Sequence, residues 1–364
     1  RRRRSGGWRK GKRHGLWIRN YPGGGLAEKA TFVDGKISGK YLLRFPSGKI
    51  SIQGRFSRKQ KKVGTWRTFY PSGNPKLVER YDGEGRLHGA GVAYRDDKSK
   101  QEEWYYKHGK LHKKQVKYDR NGRRLSSVEY RDGVLHGTKQ QCLANGRTVL
   151  TEQYRKGKPH GHFVRYYRGG VLKAHDKWYH NGKLHGPLSE WHPNGRLKKK
   201  CTYHNGVPAG RCVTFHDNGR PRSVEPCVDG KLHGDLVFYY RSGLRKSRET
   251  YTHGVRGAFV EWYPNGKTKM TGAKIGVMSN YQGWVVKYWE NGNKKQEGRY
   301  DKGTKIGLHT WYYETGKRKE SRMYQRGVIQ GTVTLYWPNG RIKVTGPYSK
   351  GRQCGLLKGY FRNG

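Results

Sequence analysis

The chain repeats a pattern of about 24 residues along its length, and this repetition limits the folds it can adopt. An aromatic residue, two or three further residues and a glycine, often as Asn-Gly, recur at steps of 24 or 25 residues almost throughout. The gap of 49 between Gly73 and Gly122 holds a degenerate copy near Lys98, and Gly24 lies one period before Gly48. The chain therefore contains about fifteen copies. These tip glycines are Gly48, Gly73, Gly122, Gly146, Gly170, Gly195, Gly219, Gly243, Gly266, Gly292, Gly316, Gly340 and Gly364.

A second signature lies between the tip glycines: Tyr, two residues, Gly, and then often Lys-Leu-His-Gly, as in YHNGKLHG at 179–186. Each copy thus has two turn signals separated by short segments rich in Tyr, Trp, Val and Thr, which predicts strand–turn–strand–turn. Glycine supplies the positive φ of tight hairpins, and asparagine tolerates it. We predict an all-β fold: one elongated solenoid or meander of β-hairpin repeats over 1–364, about 140 Å long at about 4.8 Å per strand. We expect irregular terminal repeats and a degenerate copy near 90–105.

Aromatic residues occupy fixed positions before the tip glycines. The residue four before the glycine is aromatic in eleven copies, and among the clear copies only Arg44 and Cys142 depart. We interpret this column as core packing between repeats rather than as a base-stacking platform. The residues three before the glycine are more irregular and are better candidates for contacting a partner. The column is Phe69, Tyr118, Tyr166, Trp191, Phe215, Tyr239, Trp262, Tyr288, Tyr312, Tyr336 and Tyr360, and its neighbours are Tyr70, Tyr167, Tyr240, Tyr263, Trp289, Tyr313 and Trp337.

The composition narrows the class of protein. Lys plus Arg number 78 against 26 Asp plus Glu, a formal charge of +52, while apolar residues make up only 32% and aromatic residues 13% of 364 residues. This excludes a membrane-spanning protein, a Leu-rich helical bundle and an acidic extracellular domain, and the aromatic content argues against disorder. A chain so charged needs a polyanionic partner, with nucleic acid first and an anionic membrane surface second.

The cysteines and the first residues give clues to the compartment. The five cysteines are odd in number and lack C-x-x-C spacing, which predicts neither a disulfide framework nor a zinc ribbon, but small residues in a reducing compartment. The chain begins with Arg1 rather than Met. A cleaved organellar transit peptide and a truncation explain this equally well.

The pattern G-x-W-x-x-Y-x-x-N-G, about seven residues and then Y-x-x-G-K-L-H-G resembles MORN repeats, in the variant of antitoxin-like and scaffold proteins. The segments HGPLSEWHPNGRLKKKCTYHNGVPAG and RGAFVEWYPNGKTKMTG carry it best. The resemblance covers nearly the whole chain and implies a β-repeat fold. MORN proteins include membrane-associated scaffolds, axonemal components and adaptor domains of enzymes, so the resemblance does not choose a function. The charge distinguishes this chain from that family's usual composition.

Basic residues cluster after the tip glycines, mostly one and three residues further on. These two positions share a strand face, so stacked repeats would align them in a stripe spaced about 10 Å apart. An ordinary solvated surface explains any single residue, but not a whole stripe without balancing acids. The candidate RNA-binding residues are Arg1, Arg2, Arg3, Arg4, Arg9, Lys10, Lys12, Arg13, Lys61, Lys62, Lys113, Lys114, Arg123, Arg124, Arg196, Lys198, Lys199, Lys200, Arg220, Arg222, Arg245, Lys246, Lys267, Lys269, Lys294, Lys295, Lys317, Arg318, Lys319, Arg341 and Lys343.

Arg and Lys spread over several faces suit phosphate contact without base readout, and the sequence has no RRM, KH, zinc-finger or helix-turn-helix signature. We therefore expect a structural rRNA-binding protein, similar to a lineage-specific mitochondrial ribosomal protein and located in the matrix beside other ribosomal proteins. One alternative is a scaffold on an anionic membrane, which would show one basic face with apolar anchors. Another is a cytoskeletal, axonemal or adaptor protein, with the cytoplasm as the alternative location.

Catalytic chemistry has no support in the sequence. Six histidines recur in Leu-His-Gly or Pro-His-Gly, about one repeat apart, which favours a role in the turns over a metal site whose ligands must converge. Carboxylates such as Asp132, Asp229 and Asp301 fall in turns, and no pair suggests acid–base work. We expect no enzyme activity, cofactor, metal or small-molecule substrate. The recurring histidines are His88, His112, His136, His160, His185 and His233.

Overall fold

The computed structural model describes residues 4–275 and 280–363. Every regular element in these ranges is a β-strand, 34 in number, which confirms the all-β prediction. The chain divides into two compact units, 1–183 and 184–364, and we describe each by itself. The expectation of a single continuous array over 1–364 stays a prediction. Arg1, Arg2, Arg3 and Gly364 lie outside the described residues.

The first unit is an antiparallel meander in which each long strand pairs with the next long strand of the chain. Two short strands, β10 and β15, pair with the ends of β9 and β14. The strands are β1 Arg4–Arg9, β2 Lys12–Asn20, β3 Leu26–Val33, β4 Lys36–Arg44, β5 Ile50–Phe56, β6 Lys62–Phe69, β7 Pro75–Tyr81, β8 Gly89–Tyr94, β9 Lys100–Lys107, β10 Lys110–Leu111, β11 Lys113–Tyr118, β12 Arg124–Arg131, β13 Val134–Cys142, β14 Thr148–Arg155, β15 Lys158–Pro159, β16 Gly161–Tyr166 and β17 Lys173–His180.

The second unit is a meander of the same kind and begins with β18. Its strands are β18 Lys183–Trp191, β19 Leu197–His204, β20 Val207–Phe215, β21 Pro221–Val228, β22 Lys231–Leu232, β23 Gly234–Tyr239, β24 Arg245–Thr252, β25 Val255–Trp262, β26 Thr268–Ile275, β27 Asn280–Tyr288, β28 Lys294–Asp301, β29 Thr304–Tyr312, β30 Arg318–Gln325, β31 Val328–Tyr336, β32 Ile342–Ser349, β33 Arg352–Gln353 and β34 Lys358–Gly359.

The two sequence signatures form two kinds of turn on opposite ends of the hairpins. At the tip turns, the glycine N–H donates to the carbonyl three residues before it, as from Gly73 to Tyr70 at 2.8 Å. Lys98 takes the glycine's place in the degenerate copy, with φ 67° and the same hydrogen bond to Arg95, so a tip turn forms there as predicted. We call the ends of the hairpins at these turns the tip edge.

The second turns are mostly two-residue turns in which both central residues have positive φ, such as Asp132 at 52° and Gly133 at 84°. This is the type I′ geometry that matches the twist of paired strands. Lysine, arginine and histidine occupy the first position in several copies, as Lys302, Arg326 and His253 do. We call this end of the hairpins the histidine edge.

The deepest core lies at positions that the sequence pattern did not single out. The most buried line is seven residues before the tip glycine, where Trp66 is 4% and His309 0% exposed. The column four before the glycine is only half-buried, and its last member, Tyr360, is 43% exposed. Trp66 packs edge-on against Phe56, with ring centroids 4.8 Å apart, and lies against Gly54, where a Cβ atom would collide with the indole ring. The deepest core therefore lies three residues before the aromatic column that the sequence pattern indicates.

The cysteines differ from the prediction. Cys201 on β19 and Cys212 on β20 form a disulfide between adjacent strands, with Cα atoms 4.4 Å apart. Both are 3% exposed, so the bond lies within the core of the second unit. Cys142, Cys227 and Cys354 are free. The prediction that no disulfide would form was wrong for this pair, because odd number and spacing do not reveal cysteines that strand pairing brings together.

Candidate nucleic-acid interface

The aromatic residues three before the tip glycines fasten each tip turn to the next one. Their hydroxyl or indole N–H groups donate to a backbone carbonyl of the following repeat, as Tyr240 does to Trp262 at 2.8 Å and Trp289 to Tyr312 at 3.3 Å. The sequence favours these side chains for contacting a partner, but their polar ends hold neighbouring repeats together. The same bond is made by Tyr21, Tyr70, Tyr240, Tyr263, Trp289, Tyr313 and Trp337.

Asparagines before the tip glycines add a second tie. Asn291 Nδ2 donates to the Glu314 carbonyl of the next tip turn at 2.8 Å, while its Oδ1 accepts the backbone N–H of Asn293 at 2.9 Å. The side chain thus closes its own turn and contacts the next. The Asn-Gly pairs of the sequence are therefore structural features of the tip edge. Their hydrogen bonds fix the backbone from which the nearby cations project.

The cations one residue after the tip glycines are also used between repeats. Lys267 Nζ donates to the Asn291 carbonyl at 2.8 Å, and Lys317 Nζ donates to the Asn339 carbonyl at 3.1 Å. These groups keep their charge and are exposed, but part of their hydrogen-bonding capacity goes to the protein. The candidate residues that bind a carbonyl of the next tip are Arg123, Arg220, Lys267, Lys317 and Arg341.

Most lysines three residues after the tip glycines behave differently, because they stand over the aromatic ring of their own tip turn. Lys295 Nζ lies 4.1 Å from the Trp289 ring centroid, and Lys343 Nζ lies 4.5 Å from that of Trp337. Such contacts hold an ammonium group in place without neutralising its charge. We call five such residues of the second unit the lysine rail: Lys246, Lys269, Lys295, Lys319 and Lys343.

Within the described ranges, the lysine rail has no acidic partner. All five lysines are exposed, and none makes an ion pair or donates a hydrogen bond to any described residue of the chain. In contrast, Lys294 donates to Glu297 at 2.8 Å, and this hydrogen bond raises the pKa of Lys294. Burial opposes ionisation of Glu297, but the hydrogen bonds from Lys294 and Tyr312 outweigh it and lower the pKa of that carboxyl. The rail ammonium groups are therefore more available to an external anion than Lys294 is.

The other candidate cations fall into three groups. Lys61 and Lys114 pair with Glu84 and Glu129, at 3.2 and 3.4 Å. Some stand over rings elsewhere in the sheet: Arg13, Lys62, Lys113 and Lys199. The remainder are exposed in or beside the strands: Arg4, Arg9, Lys10, Lys12, Arg124, Arg196, Lys198, Lys200, Arg222, Arg245 and Arg318.

On the histidine edge, the recurring histidines link successive turns. His136 Nδ1 accepts the backbone N–H of Lys156 at 3.4 Å, and His233 Nδ1 accepts that of His253 at 3.3 Å. The donor in each case is the positive-φ residue of the next turn. This is the role in the turns that the sequence favoured. The acceptors are His88, His112, His136, His160, His185 and His233.

A second set of histidines was missed at the sequence level. His108 and His253 lie in the turns, and His180 and His204 end the strands that precede them. Each packs against a recurring histidine, with ring centroids 4.6–5.0 Å apart. They do not belong to a Leu-His-Gly motif, so nothing in the sequence marked them. Their separation of about 20 residues from the recurring histidine, combined with the strand pairing, was the available signal.

Comparison with known proteins supports the repeat assignment. Five segments match the model of the MORN repeat variant: 13–34, 62–82, 184–205, 305–326 and 329–350. No curated protein matches the chain. Among the described residues, no helix has the length and apolar character that a membrane span requires.

Several solved structures match in a structural comparison. The TcdB2-TccC3-Cdc42 crystal structure has a TM-score of 0.17 and 9% identity, with 97% of this chain and 25% of that chain covered. For TcdB2-TccC3-TEV the TM-score is 0.18, the identity 9%, and the coverage 94% and 26%. For a Photorhabdus luminescens Tc holotoxin pore they are 0.14, 13%, and 90% and 18%. The chain thus spans about a quarter or less of the length of these proteins. Scores of this size carry no argument about function.

Proposed function

We propose that this protein is a non-enzymatic β-repeat scaffold that binds RNA phosphates as a structural component of a ribosome. The mitochondrial ribosome is the assembly that we propose, with rRNA and neighbouring ribosomal proteins as partners. The support is the formal charge of +52, spread over the length of the chain, and the lack of a base-reading motif in its sequence. Phosphate contact positions a protein on RNA without selecting a base sequence.

The observation that carries the proposal is the lysine rail. Five ammonium groups stand on aromatic rings of successive tip turns without an acidic partner among the described residues. Since the repeat contains two strands, neighbouring rail lysines are spaced by about 10 Å. A row of fixed, uncompensated cations suits a partner that presents many phosphates along one direction.

RNA is favoured over an anionic membrane because cations occupy both edges of the hairpins. Lys302, Arg326 and Lys350 lie in turns of the histidine edge and are exposed, as the lysine rail is on the tip edge. A membrane-bound scaffold needs one basic face with apolar anchors beside it. Folded RNA can surround a protein and contact cations on several faces.

The test measures binding of the full chain to an RNA duplex over a series of salt concentrations. Lys269→Gln, Lys295→Gln and Lys343→Gln are combined in one rail variant. We expect the slope of log K against log salt to fall by about 2–3, since each phosphate contact contributes about 0.7–0.9. A matched variant with Lys231→Gln, Lys302→Gln and Lys350→Gln changes the same charge on the histidine edge and should lower the slope less.

Two results would contradict the proposal. One is a flat salt dependence of the unmodified protein between low and physiological ionic strength. The other is tight binding to phosphatidylserine vesicles with no binding to RNA duplex, which would assign the charge to a membrane. Equal slopes for the two variants would reject the lysine rail as the preferred contact, while leaving RNA binding itself intact.

A further inference from the structure

Two turns of the first unit depart from the two-residue pattern of the histidine edge, one between β5 and β6 and one between β7 and β8. Between β7 and β8, the usual two-residue turn is replaced by a longer turn in which the Asp82 N–H donates to the Arg86 carbonyl at 2.9 Å. The Gly85 N–H donates back to the Asp82 carbonyl at 3.0 Å. This turn places the Asp82 carboxylate beside the stacked histidines His88 and His108.

The three side chains converge. Asp82 Oδ2 lies 3.1 Å from His108 Nδ1, and the ring centroids of His88 and His108 are 4.6 Å apart. One ligand atom from each of the three residues lies within 4.8 Å of the others. No other group of three such side chains converges in the described parts of the chain. The recurring histidines lie about one repeat apart and cannot converge on one ion, but His108 brings a second imidazole next to His88.

The site already holds a positive charge, which is the guanidinium group of Arg86. Arg86 Nε donates to Asp82 Oδ2 at 3.0 Å, and Arg86 Nη2 lies 3.3 Å from His108 Nδ1. Hydrogen bonds from the Arg86 backbone N–H and from His108 hold the pKa of Asp82 far below its ordinary value. The Arg86 and His108 side chains are about half exposed, so the guanidinium can leave and an ion can enter from solvent.

We propose that Asp82, His88 and His108 bind a zinc ion in place of the Arg86 guanidinium. Two imidazole nitrogens and one carboxylate oxygen form a ligand set that zinc accepts, with water completing the tetrahedron. In the free protein, His88 Nδ1 accepts a long hydrogen bond of 3.3 Å from the backbone N–H of His108. This bond is lost when a ring nitrogen of His88 turns to the ion. Zinc then ties two successive turns of the histidine edge together through side chains rather than through that bond.

The other stacked histidine pairs provide the natural comparison. His233 and His253 have the same ring separation of 4.6 Å, but no carboxylate completes a three-residue group with them. If two histidines were sufficient, the four stacked pairs would bind zinc alike. If the carboxylate is required, one strong site stands out from any weaker binding.

The experiment is titration of the full chain with zinc chloride by calorimetry, with cobalt(II) absorption as a report on coordination. We expect one site, and Asp82→Asn should weaken it at least about tenfold, the loss that even an outer partner of a metal site produces. Arg86→Gln should strengthen binding, because it removes the competing cation. His253→Gln, at a pair without an acid, should leave this site unchanged.

The controls separate ligation from folding. Each variant is compared with the unmodified protein by circular dichroism and thermal unfolding without metal, and the opposite effects predicted for Asp82→Asn and Arg86→Gln cannot both come from loss of structure. Unchanged zinc affinity in Asp82→Asn would overturn the proposal. So would several equivalent sites, because that result would assign binding to the histidine pairs alone.

Discussion

The two edges of the hairpins are fastened by different chemistry. On the tip edge, tyrosine, tryptophan, asparagine and cationic side chains donate to backbone carbonyls of the next repeat, as Tyr313 does to Tyr336 at 2.9 Å. On the histidine edge, the direction is reversed: imidazoles accept from backbone N–H groups, as His136 does from Lys156 at 3.4 Å. The bonds of the tip edge are mostly shorter and come in several kinds per turn.

This difference concerns the part that side chains play in each link. On the tip edge, where the lysine rail stands, side chains mainly donate to backbone carbonyls. On the histidine edge, a ring nitrogen without a proton accepts from a backbone N–H group. A single scaffold thus joins its repeats by side-chain donors at one edge and by side-chain acceptors at the other.

The largest expected effect is on the tip edge. Trp289→Ala removes an indole that donates to Tyr312 and supports Lys295, and it should lower the free energy of unfolding by about 2–3 kcal/mol, somewhat less than for a fully buried tryptophan. His136→Ala on the histidine edge loses a long hydrogen bond and should cost about 1 kcal/mol or less. Urea unfolding of both variants gives the comparison. Equal losses would contradict the stronger fastening of the tip edge.

Acid should lower stability through a buried histidine of the core. Burial lowers the pKa of His309, and nearby Lys305 adds to this, while a hydrogen bond to the Arg299 carbonyl opposes it. The folded state therefore keeps this ring neutral while the unfolded chain takes up a proton. Stability is complete above about pH 6.5 and falls as the pH drops below it, by at most about 1.4 kcal/mol per pH unit for one group.

His309→Phe tests whether this ring causes the loss of stability in acid. Phe259 occupies the same repeat position and is 2% exposed, so phenylalanine suits the site. We expect the free energy of unfolding of the variant to fall less steeply with decreasing pH than that of the unmodified protein. Urea unfolding between about pH 5 and 7.5 measures this. An unchanged dependence would show that protonation of His309 does not cause the loss of stability in acid.

A smaller effect is expected from one hydroxyl group of the tip edge. Tyr313→Phe keeps the ring beneath Lys319 but removes the donor to the Tyr336 carbonyl. The free energy of unfolding should fall by about 1 kcal/mol, with RNA affinity unchanged because the lysine remains in place. Thermal unfolding and RNA binding measured on the same preparation test this. Loss of RNA affinity without loss of stability would assign the hydroxyl to the partner instead.

The smallest effect should appear at alkaline pH. Burial and a hydrogen bond to Glu152 raise the pKa of Tyr154 to about 12. The neutral phenol is therefore favoured by folding, and its contribution is present below about pH 10 and is lost as the pH rises to about 12. Tyr154→Phe should weaken this alkaline decline. Absorbance titration of the phenol, compared between the two proteins, provides the measurement.

The sequence revealed the repeat because glycine positions report the turns directly. Both kinds of turn, and a tip turn even at Lys98, follow from the spacing. The depth of each position was harder to predict, since the line of the deepest core contains Trp66, Leu188, Phe259 and His309 and has no common residue type. What these positions share is burial against neighbouring strands, which a sequence pattern does not display.

The two roles of the cations at the tip edge also could not be predicted from the alternation of side chains along a strand. Register shifts occur next to the tips, for example between Lys287 and Tyr288, and they break the two-residue period of the strand. Lys267 therefore binds the next tip turn, while Lys269 stands over Tyr263. The basic residues that the sequence places in one stripe therefore form two distinct rows of cations in the structure.

The most direct test of the RNA proposal is sedimentation of the native protein on a sucrose gradient, with and without ribonuclease treatment. We expect the protein in heavy fractions together with rRNA, and its release toward the top after ribonuclease. This follows from a scaffold whose formal charge of +52 is neutralised by phosphates of a large ribonucleoprotein. Sedimentation at the top of the gradient in both samples would contradict it.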